Sequence, residues 1–549
     1  MYVLGINGWD KGVHDTSASL FYQGKLLAAA EEERFVRRKK AFDTVPVHSI
    51  SYCLHEAGIT ADEVDYIALG WDVEKLEMEY GGKQGLTSKG IMHCVFPKNM
   101  FPRKKDPALQ MYPHHQAHAA GAYYSSGFDD AAILVVDGSG EEESVTIAKG
   151  EKGNIDYLEV YPLECSLGIF YEGLSKYIGL GRFREGKTMG LSSYGVWEGD
   201  VPLIVNKHDG YRRTYNQILK DWVLYFYKNF GEKVNSAHYV YEHKEAKLYD
   251  QLDALSYKHV AAFGQKALEE NLIYLAKRAI ELTGCSRLCI SGGVGLNCVG
   301  NRKLLDLEEV KDIFIQPAAS DAGVSLGAGA MLSKELGFDV KLSKDHVYSG
   351  PAFSDGEIKD LLERYKIKYE FFENGINKAA VELLKKGSVG ARFAGRMEFG
   401  PRALGNRSIL ANPQSKTMLQ RVNYIKEREQ WRPLAPSINA ENQTMAINEE
   451  TASPYMLLNA TIHKSSLDLL QAVTHIDGST RPQIVDKEVN SSYWELIQCF
   501  YEETGIPAVL NTSFNIGNEP IVCSPKDAIR SFFCSELDFL FLNHFLIKK

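Results

Sequence analysis

An α/β protein with a duplicated N-terminal domain and a second α/β domain is predicted by three features of the sequence. One strand–turn–hairpin pattern occurs twice, about 130 residues apart. A third strand runs into a glycine-rich turn. Beyond residue 349 a separate segment, rich in arginine, alternates helix-like and strand-like runs. The expected domains are residues 1–348 and 349–549.

The first copy opens with the apolar run Tyr2–Ile6 and a polar turn holding His14 and Asp15. Ser17–Tyr22, a Gln23-Gly24 turn and Lys25–Ala30 then read as a hairpin. The second copy has Ala131–Val136, the turn Asp137-Gly-Ser-Gly140, Ser144–Ala148, the turn Lys152–Asn154 and Tyr157–Tyr161. Duplicated units of this kind suggest two lobes, with strand-end turns supplying phosphate and metal contacts. The third strand, Leu288–Ile290, leads into Ser291-Gly-Gly-Val-Gly-Leu-Asn297. Residues 196–280 read as a helical insertion and the helix before that strand, with Asn216–Tyr227 and Ala246–Ile280 the clearest stretches. The pattern breaks between Asp345 and Gly356, a linker signature. Helices over Glu357–Tyr365 and Asn377–Lys386, and strands over Ser388–Phe393 and Pro507–Asn511, make up the second domain.

The composition narrows the class. With 62 basic and 71 acidic residues in 549 the net charge is −9, which gives polyanions no long-range attraction, so nucleic acid is not an expected partner. No apolar run approaches the ~18 residues of a membrane span, and the N-terminus lacks a signal-peptide pattern. Nine scattered cysteines without CxxC spacing predict reduced thiols in the cytoplasm, with neither a zinc ribbon nor a disulfide framework.

Tyr112-Pro-His-His-Gln-Ala-His118 carries the strongest chemical signal. On a helix, His114 and His118 share one face at the separation two nitrogens need to bind one metal. Pro113 can start that helix. Asp137 at a strand end, and Asp321 at the turn Ser320-Asp-Ala-Gly323, can complete the set. Two imidazoles and two carboxylates with open positions suit Fe(II), Mn(II) or Zn(II). Paired core histidines are the bland alternative. Gly181–Thr188 meets the spacing of a phosphate loop, but Leu174–Leu180 before it reads as helix, so the match is read as chance. In the second domain, Glu398–Ser408 places Arg402 and Arg407 in a loop shaped by Gly and Pro. Lys426, Arg428, Arg432 and Arg481 add cations, and Leu510–Asn515 adds amide and hydroxyl donors. Together they describe an anion pocket for a small phosphorylated ligand.

Taken in order, the motifs resemble the NodU/CmcH family of O-carbamoyltransferases. They are Gly5-Ile-Asn-Gly-Trp9, His14-Asp15, Glu31-Glu-Glu-Arg-Phe35, His114-His-Gln-Ala-His118 and Gly292–Asn297, then Phe399–Gly405, Arg432–Pro436 and Asn511–Asn515. The resemblance implies an actin/sugar-kinase-like (TsaD-like) N-terminal domain and a YrdC-like C-terminal domain. It implies that the C-terminal domain makes carbamoyl-adenylate from carbamoyl phosphate and ATP, with Mg(II), through Arg402, Lys426, Arg432, Arg481, Asn511 and Ser513. In the N-terminal domain it implies iron on His114, His118, Asp137 and Asp321. Lys39, Asp137, Ser139, Gly140, Gly168 and Asn297 would then cradle the adenylate, and His14 would be base for a hydroxyl acceptor. That acceptor would be a small aminoglycoside or sugar-like molecule of antibiotic biosynthesis, and the enzyme could act as a homodimer.

The chemistry is coherent. Nitrogen donation makes a carbamoyl carbon a poor electrophile, and a mixed anhydride with AMP has a better leaving group. That anhydride hydrolyses readily, which calls for a shared water-poor passage between the two centres. Three alternatives stay open at this point: a tRNA threonylcarbamoyl-adenosine enzyme, a sugar or acetate kinase, and a non-catalytic nucleotide-binding regulator.

Overall fold

The structure is a computed structural model that describes residues 1–9, 13–80, 88–206, 211–231, 257–451 and 453–549. Its contacts divide the chain into two units, Met1–Val36 with Lys40–His346, and Val347–Lys549 with Arg37–Lys39. The break lies where the hydropathy pattern fails. Arg37–Lys39 group with the second unit, not with the residues that flank them.

The first unit holds two five-stranded sheets. One contains β1 (Tyr2–Asn7), β2 (Ser17–Tyr22), β3 (Lys25–Glu31), β4 (Val64–Leu69) and β5 (Ala108–Met111), in the order β3-β2-β1-β4-β5. The other contains β6 (Asp130–Val136), β7 (Glu143–Glu151), β8 (Asn154–Pro162), β9 (Arg287–Ser291) and β10 (Asp312–Ile315), in the order β10-β9-β6-β7-β8. In chain order the two sheets are the same: three antiparallel strands, then two that run parallel to the first. Even the hairpin turns match. Gln23 and Gly24 have φ of 48° and 80°, and Lys152 and Gly153 have 50° and 78°, the paired left-handed residues of a turn whose twist suits adjoining strands. The duplication seen in the sequence is therefore a duplication of topology.

A helix follows the fifth strand of each copy, His114–Ser126 after β5 and Val324–Glu335 after β10. These two helices meet at glycine. A Cβ on Gly327 would lie 1.8 Å from the Ala117 carbonyl oxygen, a clash no rotamer relieves. The second helix is also pressed against β1, because a Cβ on Gly5 would lie 2.0 Å from the Ser325 carbonyl oxygen. Buried hydroxyls fasten the contact: Ser17 donates to the Ala322 carbonyl at 2.7 Å, and Ser19 to that of Ser325 at 2.9 Å.

Of the predicted insertion, the described part comprises a short turn of helix at Ile204–Asn206 and the helices Tyr215–Phe230 and Tyr257–Thr283. The stretch 246–256, expected as helix, lies outside the described residues. Phe170 of the helix Leu167–Tyr177 packs on Trp222 and Phe226, which joins the insertion to this unit's core. That same helix precedes Gly181–Thr188 where a phosphate loop would need a strand, so the spacing match is indeed a chance one.

The second unit is built on one eight-stranded mixed sheet. Its members include β11 (Glu370–Phe371), β12 (Gly390–Phe393), β13 (Arg407–Ala411) and β14 (Ala435–Asn439). After a separate two-stranded ribbon, β15 (Ala460–Thr461) and β16 (Ser479–Thr480), come β17 (Gln483–Val485), β18 (Ala508–Ser513), β19 (Phe539–Leu542) and β20 (Phe545–Lys548). The sheet order is β11-β20-β19-β12-β13-β18-β14-β17. Helices Ile376–Lys385 and Ser491–Thr504 cover it through Val381, Leu384, Leu496 and Phe500, all buried in one core.

Gly327→Ala is expected to lower stability in urea unfolding by ~3 kcal/mol, because a methyl group is forced against backbone. Gly186→Ala, where nothing lies within 4 Å of the added carbon, is expected to leave stability unchanged or raise it by up to ~1 kcal/mol.

Candidate functional site

The helix pair sets the first site. His114 and His118 stand one turn apart, with their Nε2 atoms 3.1 Å from each other. Asp137, just past β6, places Oδ2 3.6 Å from His114 Nε2 and 4.0 Å from His118 Nε2. Asp321, at the entry to the second helix, places Oδ1 at 3.7 and 3.9 Å from the same atoms. All four ligand atoms lie within 4.8 Å of one another. Ligands ~2.1 Å from one ion stand ~3.0 Å apart at right angles and ~3.4 Å apart in a tetrahedron, so this set fits one divalent cation with coordination positions to spare.

Three of the four side chains are oriented by a second partner, as metal-binding residues commonly are. His114 Nδ1 faces the Gly70 carbonyl at 3.2 Å, and its ring stacks on Trp71 with centroids 3.7 Å apart. His118 Nδ1 bonds Ser291 Oγ at 3.0 Å. The other oxygen of Asp137 accepts from the Gly293 backbone N–H at 2.7 Å, so the glycine-rich turn holds a ligand in place. Burial pulls both imidazoles toward the neutral form. For His114, Asp137 and Asp321 outweigh burial and hold it up at about 10, while burial and the nearby His114 take His118 down to about 4. Glu141, which the sequence reading did not single out, accepts from the backbone N–H of His114 and of Asp72, and so seats the start of the histidine helix. Burial raises it to about 7. Its only sequence signal is the acidic run after the Asp137 turn.

His14 stands on the far side of Asp321, with Nδ1 3.7 Å from Asp321 Oδ2 and 3.3 Å from Asp15 Oδ2. Lys40 bonds the same Asp15 oxygen at 2.7 Å. Phe42 and Phe183 turn their edges to the His14 ring at 5.9 and 5.0 Å. Beside them, Glu172 holds Arg182 and Tyr215 in short hydrogen bonds.

Of the residues expected to cradle an adenylate, Asn297 and Gly140 also make hydrogen bonds within the first unit. Asn297 caps the helix Cys298–Leu305 through Gly300 N–H and forms a reciprocal amide pair with Gln265. Gly168 comes up against backbone, since a Cβ there would lie 2.6 Å from Gly138 Cα. Gly140 donates its N–H to the Glu143 carbonyl, and Ser139 stands half-buried beside it. Lys39 groups with the second unit, where its charge acts on Lys426.

In the second unit Lys426, Arg428, Arg432, Arg481 and Lys39 form a cationic cluster. Burial, and then Arg428, Lys39 and Arg432, push Lys426 well down. Burial followed by Arg432 pushes Arg428 down too, with Arg481 adding to the effect and Glu429 opposing it. A cluster that resists its own charge in this way is relieved by an anion. Lys426 Nζ is held by Ser513 and Asn515, whose Oδ1 also accepts from the Ser513 hydroxyl at 2.6 Å. The Asn511 amide N–H groups go to Ala403, Ser437 and Gln483, and its buried Oδ1 has no hydrogen-bond partner among the described residues. Arg402 is half-buried at the loop. Arg407 corrects the expectation of two anion-binding arginines in that loop. It is fully buried, it donates to the carbonyls of Ala394, Gly395, Asn406 and Pro351, and it lies 3.7 Å over Phe393, so it braces the fold.

Two family descriptions match the chain: Carbamoyltransferase N-terminus over residues 3–330 and Carbamoyltransferase C-terminus over residues 381–549. The nodulation protein NolNO of Sinorhizobium fredii is 35% identical across 98% of this chain and 79% of its own length. The chain belongs to the carbamoyltransferase family. The carbamoyltransferase is also 35% identical to nodulation protein NolO of Bradyrhizobium diazoefficiens, over 79% of this chain and 78% of that one. Nodulation protein U of Sinorhizobium fredii is 26% identical over 94% of both. Among solved structures, full-length HypF in its phosphate- and nucleotide-bound form is 12% identical, with a TM-score of 0.34 over 62% of this chain and 56% of HypF. Component A of the Acidaminococcus fermentans (R)-2-hydroxyglutaryl-CoA dehydratase is 14% identical, with a TM-score of 0.35 over 61% of this chain and 98% of that chain. At such scores the carbamoyltransferase fold is defined by its own strand order. All nine of its cysteines are free thiols, and among the described residues no helix is long and apolar enough to cross a membrane.

The carbamoyltransferase, loaded with Fe(II) and dialysed, is expected to retain one equivalent by elemental analysis. His118→Ala and Asp321→Ala should retain less than a tenth of that. His115→Gln should retain the full equivalent, since His115 bonds Thr146 and is not one of the four converging ligands.

Proposed function

We propose that this enzyme is an ATP-dependent O-carbamoyltransferase with a division of labour between its units. The C-terminal unit, YrdC-like in this reading, joins carbamoyl phosphate and ATP, with Mg(II), into carbamoyl-adenylate. The N-terminal unit, of actin/sugar-kinase-like (TsaD-like) type, passes the carbamoyl group to a hydroxyl of a small aminoglycoside or sugar-like acceptor. The convergence of His114, His118, Asp137 and Asp321, with His14 on the far oxygen of Asp321, is the observation that carries the reading.

The cationic cluster of the C-terminal unit supports the first stage. Arg402, Arg432 and Arg481 would take phosphate oxygens, and Lys426 would hold the Ser513–Asn515 turn against them. The unpartnered Oδ1 of Asn511 is an acceptor suited to a carbamoyl N–H, which a bare phosphate lacks. For the second stage, His114, His118, Asp137 and Asp321 would hold a divalent cation, Fe(II) by the resemblance. Such an ion supplies Lewis-acid polarisation when bound. His14 Nε2 would take the acceptor's hydroxyl proton while Nδ1 is held toward Asp15, and such general-base help is typically worth ~10²–10⁴-fold. Phe42 and Phe183, beside His14, offer apolar surface to a sugar ring. Free cysteines suit a reducing cytoplasm.

His14→Asn is expected to keep carbamoyl-phosphate-dependent release of pyrophosphate from ATP while slowing formation of carbamoylated product by at least 100-fold. Arg402→Ala or Arg481→Ala is expected to abolish the pyrophosphate release itself. Mass spectrometry with a panel of aminoglycosides and sugars reads the product, and pyrophosphate lost in His14→Asn would contradict the division.

A further inference from the structure

A cavity of about 330 Å³ in the second unit is lined by Arg392, Asn377, Ser492, Leu496 and Phe541, and by none of the cationic cluster residues. Arg392 lies on β12, is 4% exposed, and forms no ion pair among the described residues. Nη1 donates to the Gly405 carbonyl at 2.6 Å and to Asn406 Oδ1 at 3.0 Å, and Nη2 donates to Ser492 Oγ at 3.0 Å. Nε–H and one Nη2–H remain, the edge of a guanidinium that grips a carboxylate or phosphate with two parallel bonds.

Two helix starts border the same cavity. Asn377 lies in the first turn of Ile376–Lys385, whose N-cap Gly375 offers no side-chain acceptor. Ser492 lies in the first turn of Ser491–Thr504. First-turn N–H groups lack intrahelical partners and carry the positive end of the helix dipole. Burial disfavours the Arg392 charge, which Glu398 offsets only through space, and an anion in the cavity would add the direct charged partner it lacks among the described residues. Leu496 and Phe541 give the wall an apolar stretch, beside Asn543 and His544, the latter paired with Asp355.

We propose that this cavity is a second anion site, separate from the carbamoyl phosphate centre, which takes a small organic anion whose carboxylate or phosphate sits on Arg392 and whose apolar body lies against Leu496 and Phe541.

The test is calorimetric titration of the full chain carrying Arg402→Ala and Arg481→Ala, which disable the carbamoyl phosphate centre, with butyrate and separately with inorganic phosphate. Binding of at least one probe is expected to persist and to weaken at least tenfold in Arg392→Gln. Asn377→Trp, which fills the cavity from the half-exposed helix start, should weaken it equally while melting like wild type. Persistence of butyrate alone would assign a carboxylate ligand, and persistence of phosphate alone a phosphate ligand. Binding of neither probe, or full binding in Arg392→Gln or Asn377→Trp, would overturn the proposal.

Discussion

The imidazole–carboxylate site depends on one steric fact, the approach of the helices His114–Ser126 and Val324–Glu335 to a distance that only glycine at 327 allows. Two of the ligands come from the first helix and one from the entry to the second. The spacing between Ala117 and Gly327 therefore sets the spacing between the imidazoles and Asp321. The two helices occupy equivalent places in the two copies of the repeat. The site thus sits where the copies meet, and each copy contributes side chains to the imidazole–carboxylate cluster. Asp137 enters from the first strand of the second copy, fastened to the glycine turn after β9 by Gly293.

The second unit uses charge in two opposed ways. Arg407 and Arg392 are both buried, yet Arg407 spends its guanidinium on backbone carbonyls and a phenyl face, whereas Arg392 keeps an edge beside a cavity. The cluster around Lys426 and Arg428 crowds basic groups in an interior where burial and mutual repulsion push both well below their ordinary pKa. Arg428 donates to the Pro433 carbonyl and Arg432 lies 3.7 Å from Glu429, and a phosphate beside them would relieve the repulsion that remains.

Local patterns were legible in the sequence. The first hairpin appears within a residue of its expected ends, and the strands of the second run three residues further toward their turn, because apolar runs bounded by Gly turns are local signals while strand ends depend on pairing. The His114/His118 pair was readable because helical periodicity alone puts both rings on one face. Asp137 and Asp321 were readable as carboxylates at turns, although only the fold shows that they meet. Pairings between distant segments were not legible. Nothing local says that Ser291 would orient His118, that Trp71 would stack on His114, or that Glu141 would seat a helix start. Arg407 was misread for the same reason: its partners at 351, 394 and 395 are brought to it by the sheet, and no sequence window contains them all in contact. The grouping of Lys39 with the second unit is likewise a tertiary fact.

The account stands or falls on one ion held by two imidazoles and two carboxylates. X-ray absorption at the iron edge, on protein carrying one equivalent of Fe(II), reads that environment directly. Two imidazole shells with Fe–N near ~2.1 Å, accompanied by oxygen ligands, are the predicted result. A spectrum without imidazole scattering, or one left unchanged by loss of the His118 ring, would contradict it.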